Sequence, residues 1–443
     1  MRSITLIAAA LGGTCWTVPA SGQVSDPASV EAELAAMRTQ IAGMATRIEA
    51  LESELAATNS EAAGDNNAEP VLDIAWKGAP EISGEGGWSF KPRGRIQVDA
   101  GLVRAPESAS YSDGFGSELR RARLGVEGDI PGGFGYKLEV DFAGDVVAVT
   151  DALLTYESGG FLLTAGQHNN FQSLDELTSD LHTPFLERAA FTDAFGFERR
   201  VGISAQYAGK AWMVQAGLFS DNSADLGDDR AWSTDGRVVF FPAIGDSQLH
   251  FGGSIHYTGL DTGSTVRYRQ RPLVHFNSTR FLDTGPRIAD SETGYGLEAA
   301  GIFGRFHFAG EVFWQKVDLP DMAQDPTFFG AYAEAGFFLT PGDRRGYKNG
   351  IFDRVRPANP LNKGGMGALQ VNLRYDHLDL VDAAIAGGLQ DTYAVSLVWT
   401  PTDYTRLLVN YARVQVDQSI FPIEGGSTSY GVDVAGIRAQ VDF

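Results

Sequence analysis

Apolar residues recur along this chain with two different periods. Near the start, Val30, Leu34, Met37, Ile41, Met44, Ile48, Leu51 and Leu55 are spaced 4, 3, 4, 3, 4, 3, 4. That is the a/d seam of a parallel coiled coil, flanked by Glu33, Arg38, Arg47, Glu52 and Glu54 for pairing between helices. From Trp88 onward the period falls to two. Phe134, Tyr136, Leu138, Val140 and Phe142 alternate with Lys137, Glu139 and Asp141, and Phe306, Phe308, Val312 and Trp314 alternate with His307, Glu311 and Gln315. The last stretch does the same: Ile437, Ala439, Val441 and Phe443 against Arg438, Gln440 and Asp442. Period two means strands with one apolar and one polar face.

Three features select a membrane barrel over a soluble sandwich. The alternating segments run about 9 to 14 residues, matching the ~9–11 that cross a bilayer at a tilt. Connections alternate between short (131–133, 158–159, 208–210, 303–305, 401–403) and long (105–117, 169–198, 221–231, 259–293, 417–429). The chain also ends on a phenylalanine in an alternating strand, which suits recognition by the outer-membrane assembly machinery. The expectation is an all-β fold. It is a 16-stranded antiparallel transmembrane β-barrel with an N-terminal periplasmic coiled-coil helix. Strands are expected to start near Trp88, Glu118, Phe134, Ala148, Phe161, Arg199, Ala211, Trp232, Gln248, Gly294, Phe306, Phe328, Gly365, Asp391, Thr405 and Tyr430. An even count puts both barrel ends on one side. The stretch 341–364 is too long for the short turn expected there. Arg2, the apolar run 4–11 and small residues at 20–22 read as a signal peptide. The resulting domains are 1–22 signal peptide, 23–58 coiled coil, 59–87 acidic linker with a short strand near 71–76, and 88–443 barrel.

Charge narrows the function. With 35 Lys+Arg against 56 Asp+Glu, the net of −21 argues against a nucleic-acid partner. Residues 23–87 carry 12 acids and 3 bases, so much of that excess lies outside the barrel. Cys15, the only cysteine, falls in the signal segment, which excludes disulfide and thiol chemistry from the mature chain. No nucleophile elbow or phosphate-binding glycine loop precedes a helix, so no enzymatic activity and no cofactor are expected. His250 and His256 share a strand face but stand ~20 Å apart, too far to share a metal.

Alternation also assigns the lumen. With Ile96, Val98, Ala100 and Leu102 toward lipid, Arg93 and Arg95 point inward; Arg121, Arg123, Arg200, Arg237, Arg374 and Arg438 follow by the same logic. Stacked guanidiniums offer directed donors to an anion. Equally, they can pair with lumen acids such as Asp99, Glu127, Glu139, Asp141 and Glu157 and brace the wall. The loop at about 169–197 is too long for a hairpin. Ser173 and Glu176 have capping-box spacing, and Leu174, Leu177 and Leu181 follow at helical intervals, so a short helix is expected. This constriction loop carries Asp175, Glu176, Asp180, His182, Glu187 and Arg188.

Several ordered motifs resemble the phosphate-selective porin O and P family: Leu162-Leu-Thr-Ala-Gly-Gln167, Leu174-Asp-Glu-Leu-Thr-Ser179, Phe185-Leu-Glu-Arg188, Phe338-Leu-Thr-Pro-Gly-Asp343 and Gly367-Ala-Leu-Gln-Val-Asn-Leu-Arg374. The resemblance implies a 16-stranded outer-membrane porin, a homotrimer, with the third outer loop folded into the pore and a preference for phosphate or related anions. It also implies loop lysines at the central anion site. This loop has none, and the chain has seven in all. The function expected is therefore passive diffusion of small hydrophilic solutes or inorganic anions through the outer membrane, among lipids and lipopolysaccharide. The alternative is a structural tether, with the coiled coil holding the cell wall and a narrow or plugged barrel.

Overall fold

The computed structural model describes residues 27–62, 72–107, 111, 113–224 and 231–443. The signal-peptide segment 1–22, linker residues 63–71 and outer-loop residues 225–230 lie outside the described residues. The chain divides into two units, Met1–Pro70 and Val71–Phe443. In the first, α1 (Pro27–Ala62) is a single helix over the heptad segment. Proline at its first position suits a helix start, since the missing N–H has no partner there. The seam residues Met37, Ile41, Met44, Ile48 and Leu51 are exposed.

The second unit closes on itself through sixteen long strands. They are β1 (Trp88–Arg104), β2 (Gly114–Ile130), β3 (Phe134–Asp141), β4 (Ala148–Ser158), β5 (Phe161–Asn169), β6 (Arg199–Ala208), β7 (Trp212–Phe219) and β8 (Trp232–Phe240). Then follow β9 (Ser247–Gly259), β10 (Ser291–Phe303), β11 (Phe306–Asp318), β12 (Thr327–Phe338), β13 (Ala368–Asp382), β14 (Ile385–Thr402), β15 (Thr405–Asp417) and β16 (Tyr430–Asp442). Each pairs antiparallel with its sequence neighbours, and β16 pairs with β1 from Asp433↔Arg104 to Asp442↔Arg95. Closure leaves no barrel edge, the condition for strands in lipid. At the seam, Gly94 and Phe443 exchange backbone hydrogen bonds of 3.0 Å. A Cβ on Gly94 would stand 2.4 Å from the Phe443 ring, so only glycine admits that terminal aromatic. Ahead of β1, Asp73–Trp76 pairs with Pro80–Gly84, which pairs with the start of β1.

The outer wall is apolar, as alternation requires: Ile96, Val98, Leu124, Ile203, Leu218, Leu297, Leu373 and Val409 are exposed on it. Aromatic pairs mark two belts. Phe134–Tyr156 and Phe161–Tyr207 lie toward the turn end, and Trp232–Tyr257 and Trp314–Phe329 toward the loop end. No helix among the described residues is long and apolar enough to cross a membrane; the strands do the crossing.

The lumen is not evenly polar. One buried apolar cluster joins inward residues of β10–β16 (Ile302, Phe313, Phe328, Tyr332, Leu378, Val398, Leu408, Val414, Val434) to Val103 of β1. It takes in Phe185, Leu186 and Phe191 of the inserted loop 170–198 and Tyr268, Phe281 and Leu282 of the outer loop 260–290. Strands β2–β9 contribute nothing to it. Two loops thus cover the apolar β10–β16 side, while the inward faces of β2–β9 are mostly polar, with Met213, Phe219 and Val239 buried among them.

A third insertion enters from the opposite end. The connection 339–367, between β12 and β13, is the stretch that was too long for a turn. It forms a small hairpin (Gly346–Lys348 with Ile351–Asp353) folded into the barrel rather than a seventeenth strand. Arg237 of β8 donates to the Gly350 carbonyl at 3.0 Å, and Tyr347 bonds His250 of β9 at 2.7 Å.

Candidate functional site

The inserted loop is held by the wall, backbone group by backbone group. Its first helix, α2 (Leu174–Leu177), is a single turn. Ser173 caps it, accepting from the Glu176 N–H at 3.3 Å, as the capping-box spacing predicts. The other two free N–H groups, of Leu174 and Asp175, donate to the two oxygens of Glu311 on β11 at 2.9 and 2.7 Å. At its far end the Arg188 guanidinium donates to the carbonyls of Asp175, Glu176 and Thr178 at 2.8 to 3.0 Å. The helix stops there because a side chain supplies donors that a further turn would have supplied. Leu181, expected on the same helix, is buried beyond it. A second short helix, α3 (Ala190–Ala194), follows. Asp376 of β13 accepts from the Ala190 N–H at 2.9 Å. Phe191 is fully buried, stacked on Phe313 at 5.8 Å. A Cβ on Gly330 would lie 2.4 Å from that of Phe191, so β12 is glycine where α3 presses on it.

All eight arginines assigned to the lumen point inward, and all are ion-paired. Arg93 pairs with Glu127 and, at 3.5 Å, Glu139. Arg95 meets Glu139 at 3.0 Å and Asp180 at 2.7 Å. Arg121 meets Asp180 at 2.8 Å. Arg123 meets Asp141 at 2.7 Å, Glu139 at 3.3 Å and Asp180 at 3.8 Å. Arg200 reaches Glu198 and Asp221, Arg237 reaches Glu298, Arg374 reaches Glu334 and Asp175, and Arg438 reaches Asp99 and Glu187. Wall bracing is therefore real. It is not spread evenly: Arg93, Arg95, Arg121 and Arg123 stand together on β1 and β2, whereas Arg200, Arg237 and Arg374 sit on strands apart.

The loop's charged residues divide in the same way. Asp180 and Glu187 face the arginines, Glu187 through both oxygens to Arg120 at 2.9 and 3.0 Å. Burial opposes ionisation of both. For Asp180 it is outweighed by Arg121, Arg95, Arg123 and Arg188, and for Glu187 by Arg120 and Arg438, so both carboxyls fall well below the usual carboxylate range. Burial instead pushes Glu176 up, against the pull of Arg188. His182 is pushed down to about 3, first by burial and then by Arg354 and Arg406. Its ring is neutral at pH 7, so its 3.6 Å approach to Asp353 is not an ion pair.

Alternation missed Arg120. The register of β1 on β2 shifts between Gln97 and Val98, where Arg121 and Leu119 are consecutive partners and Arg120 is the extra residue. This β-bulge turns Arg120 inward beside Arg121. Strict alternation would leave a guanidinium in lipid, a cost of ~2–4 kcal/mol at the midplane; that cost was the available signal. Arg406 was reachable by alternation with Leu407, Val409 and Tyr411. It donates to the carbonyls of Leu181 and Thr183. Arg345, in the turn-end insertion, was not; it donates to the His182 carbonyl at 3.2 Å and stacks on Phe352.

Among the described residues, two polar cavities lie beside β1 and β2. One, of about 370 Å³, opens among outer-loop residues and is lined by Arg120, Arg121, Arg123, Thr150, Asp180, Arg188 and Arg199. The other, of about 580 Å³, lies at the turn end, lined by Lys77, Lys91, Arg93, Arg95, Arg354 and Arg356 against Glu127, Asp403 and Asp442.

Comparison with known proteins agrees with this architecture. Residues 90–443 match the family described as phosphate-selective porin O and P. A protein of Caulobacter vibrioides is 47% identical over 389 residues, covering 85% of this chain and 78% of its own. Among solved structures, an anion-selective porin from Comamonas acidovorans is similar at TM-score 0.50 and 15% identity, over 80% of this chain and 99% of that one. OprB of Pseudomonas putida at high pH is similar at TM-score 0.52 and 11% identity, over 81% and 95%. At those identities the likeness is one of fold.

Proposed function

The chain belongs to the phosphate-selective porin O and P family, and from that membership we propose a passive outer-membrane channel with a weak preference for small hydrophilic anions. The observation that carries this reading is the placement of arginines. Arg93 and Arg95 line the turn-end cavity, and Arg120, Arg121 and Arg123 line the outer one. All five stand on β1 and β2, two toward the turn end and three toward the outer end. Six cationic side chains face three carboxylates in the turn-end cavity. In the outer cavity the acids of the inserted loop and its neighbours nearly balance the arginines, which makes the preference weak and leaves phosphate without a dedicated lysine site.

Three copies assemble in this reading, with the α1 segments joined as a coiled coil in the periplasm. The exposed a/d residues of α1 support that part, because an apolar seam on an isolated helix needs a partner. Both barrel ends lie at the turn end, which faces the periplasm in bacterial outer-membrane barrels. Phe443, seated at Gly94, supplies the terminal aromatic for the assembly machinery.

Planar-bilayer recording of the purified protein in a KCl gradient tests the channel. A reversal potential on the anion side is expected. A folded barrel without conductance would refute the channel, and a cation-side potential would refute the preference.

A further inference from the structure

The two cavities share no lining residue, and an ion pair joins a lining residue of one to a lining residue of the other. Arg95 lines the turn-end cavity and Asp180 the outer one. The Asp180 carboxylate lies 2.7 Å from Arg95, 2.8 Å from Arg121 and 3.8 Å from Arg123, all with buried side chains. Arg95 and Arg123 have a second carboxylate in Glu139. Arg121 has none within 4 Å among the described residues; apart from Asp180 it has the Gln97 side-chain oxygen at 2.8 Å. Its Nε, although 2.8 Å from Asp180, is buried and makes no hydrogen bond, so charge rather than a directed donor holds it there.

The Asp180 side chain does not hold the loop alone. The neighbouring carbonyls of Asp180, Leu181, His182 and Thr183 accept from Gln97, Arg406, Arg345 and Gln440. The remaining anchors, Glu311, Asp376 and the Phe191 cluster, are more remote in sequence. The loop backbone is therefore tied to the wall without the carboxylate, and the carboxylate is free to serve another purpose.

We propose that Asp180 sets the ion preference of the channel: it occupies, as a tethered counter-anion, the place where the arginines of β1 and β2 converge. A permeating oxyanion, whether carboxylate, sulfate or phosphate, has to compete with it for Arg121. The proposal rests on the channel reading above. The loop as built is self-neutralising; without that charge, three guanidiniums would face Glu139 and Asp141 alone, and the neck would become an anion site.

The test is Asp180→Asn, close to isosteric, in planar bilayers beside the wild type. The chloride-to-potassium permeability ratio is expected to rise by about five- to tenfold, the effect of one charge at the neck in a water-like medium. Inorganic phosphate at millimolar concentration is expected to block chloride current in the variant and not in the wild type. In the double variant Asp180→Asn with Arg121→Gln the ratio should return toward wild type. A loop merely loosened by the substitution would raise conductance for both ions without moving the ratio, and that result overturns the proposal. An unchanged ratio in a conducting variant does so as well. If neither protein conducts although both barrels are folded, the channel reading fails instead.

Discussion

Phe191→Ala tests how the inserted loop stays in the lumen. The Phe191 ring is fully buried, its plane within 5° of Phe313 at 5.8 Å, with Tyr332 at 6.3 Å and Phe197 at 5.8 Å. Removing a buried phenylalanine costs about 3–5 kcal/mol. The strands do not depend on that ring for their ladders, so the loss falls on the docking of α3. At 1.4 kcal/mol per tenfold, even the lower figure shifts the docked-to-undocked ratio by about a hundredfold. The polar anchors at Glu311 and Asp376 oppose full release, so frequent partial opening is the expected result. Single-channel records should show larger conductance and more open-channel noise. Trypsin should cleave after Arg188 about a hundredfold faster, since cleavage tracks the open population. Unchanged noise and unchanged cleavage, in a variant that folds, would show that the aromatic cluster does not hold the loop.

Other perturbations follow from the same structure. Replacing 344–364 with a tight glycine turn removes the hairpin bonded to Arg237 and His250, and single-channel conductance should rise. In a double-mutant cycle, Arg120→Ala and Glu187→Ala should be strongly non-additive in loop protection from protease, with a coupling of about 1–3 kcal/mol for a bidentate, half-buried pair; additivity would show that the pair does not hold the loop. His182 is neutral when docked, with a pKa near 3. The undocked loop, titrating near ~6.5, takes up a proton the docked loop refuses. Docking should therefore weaken as pH falls from about 6.5 and level off below 3. His182→Gln should reduce that slope, measured as proteolysis against pH. Deleting 27–62 should leave conductance intact; loss of cell-wall association on that deletion, from a barrel that does not conduct, would favour the tether reading of the helix.

The strands were the most legible part of the sequence. Lipid on one side forces strict alternation, so the starts at Phe134, Phe161, Arg199 and Thr405 could be read to the residue. The boundary at β14 was off by several residues because β13 and β14 run past the bilayer and turn through 383–384, where both alanines take positive φ; nothing in their type marks a turn. The inward arginines were legible for the same reason, and their partners were not. Which acid faces which guanidinium depends on register and on loops that fold back into the lumen. The apolar half of the interior was hidden as well. Phe313, Leu378 and Val414 sit at inward positions where a polar lumen was expected, and they are apolar because loops 170–198 and 260–290 cover them. The chain's net charge is −21. In the structure, lumen acids such as Glu139, Asp141, Asp180 and Glu187 are spent on arginines, so the sum says little about the neck.

In the proposed channel, solutes pass beside β1 and β2, through the outer and turn-end cavities. Cys15 is the chain's only cysteine and lies in the segment read as a signal peptide, so single cysteines can be placed cleanly. Thr150→Cys, in the outer cavity, and Lys91→Cys, in the turn-end cavity, should be modified by a small anionic thiol reagent with a stepwise fall in conductance. Ser396→Cys, whose native hydroxyl is buried against the Pro184 carbonyl, should be silent. Equal block at all three positions, or block at Ser396→Cys alone, would contradict the account.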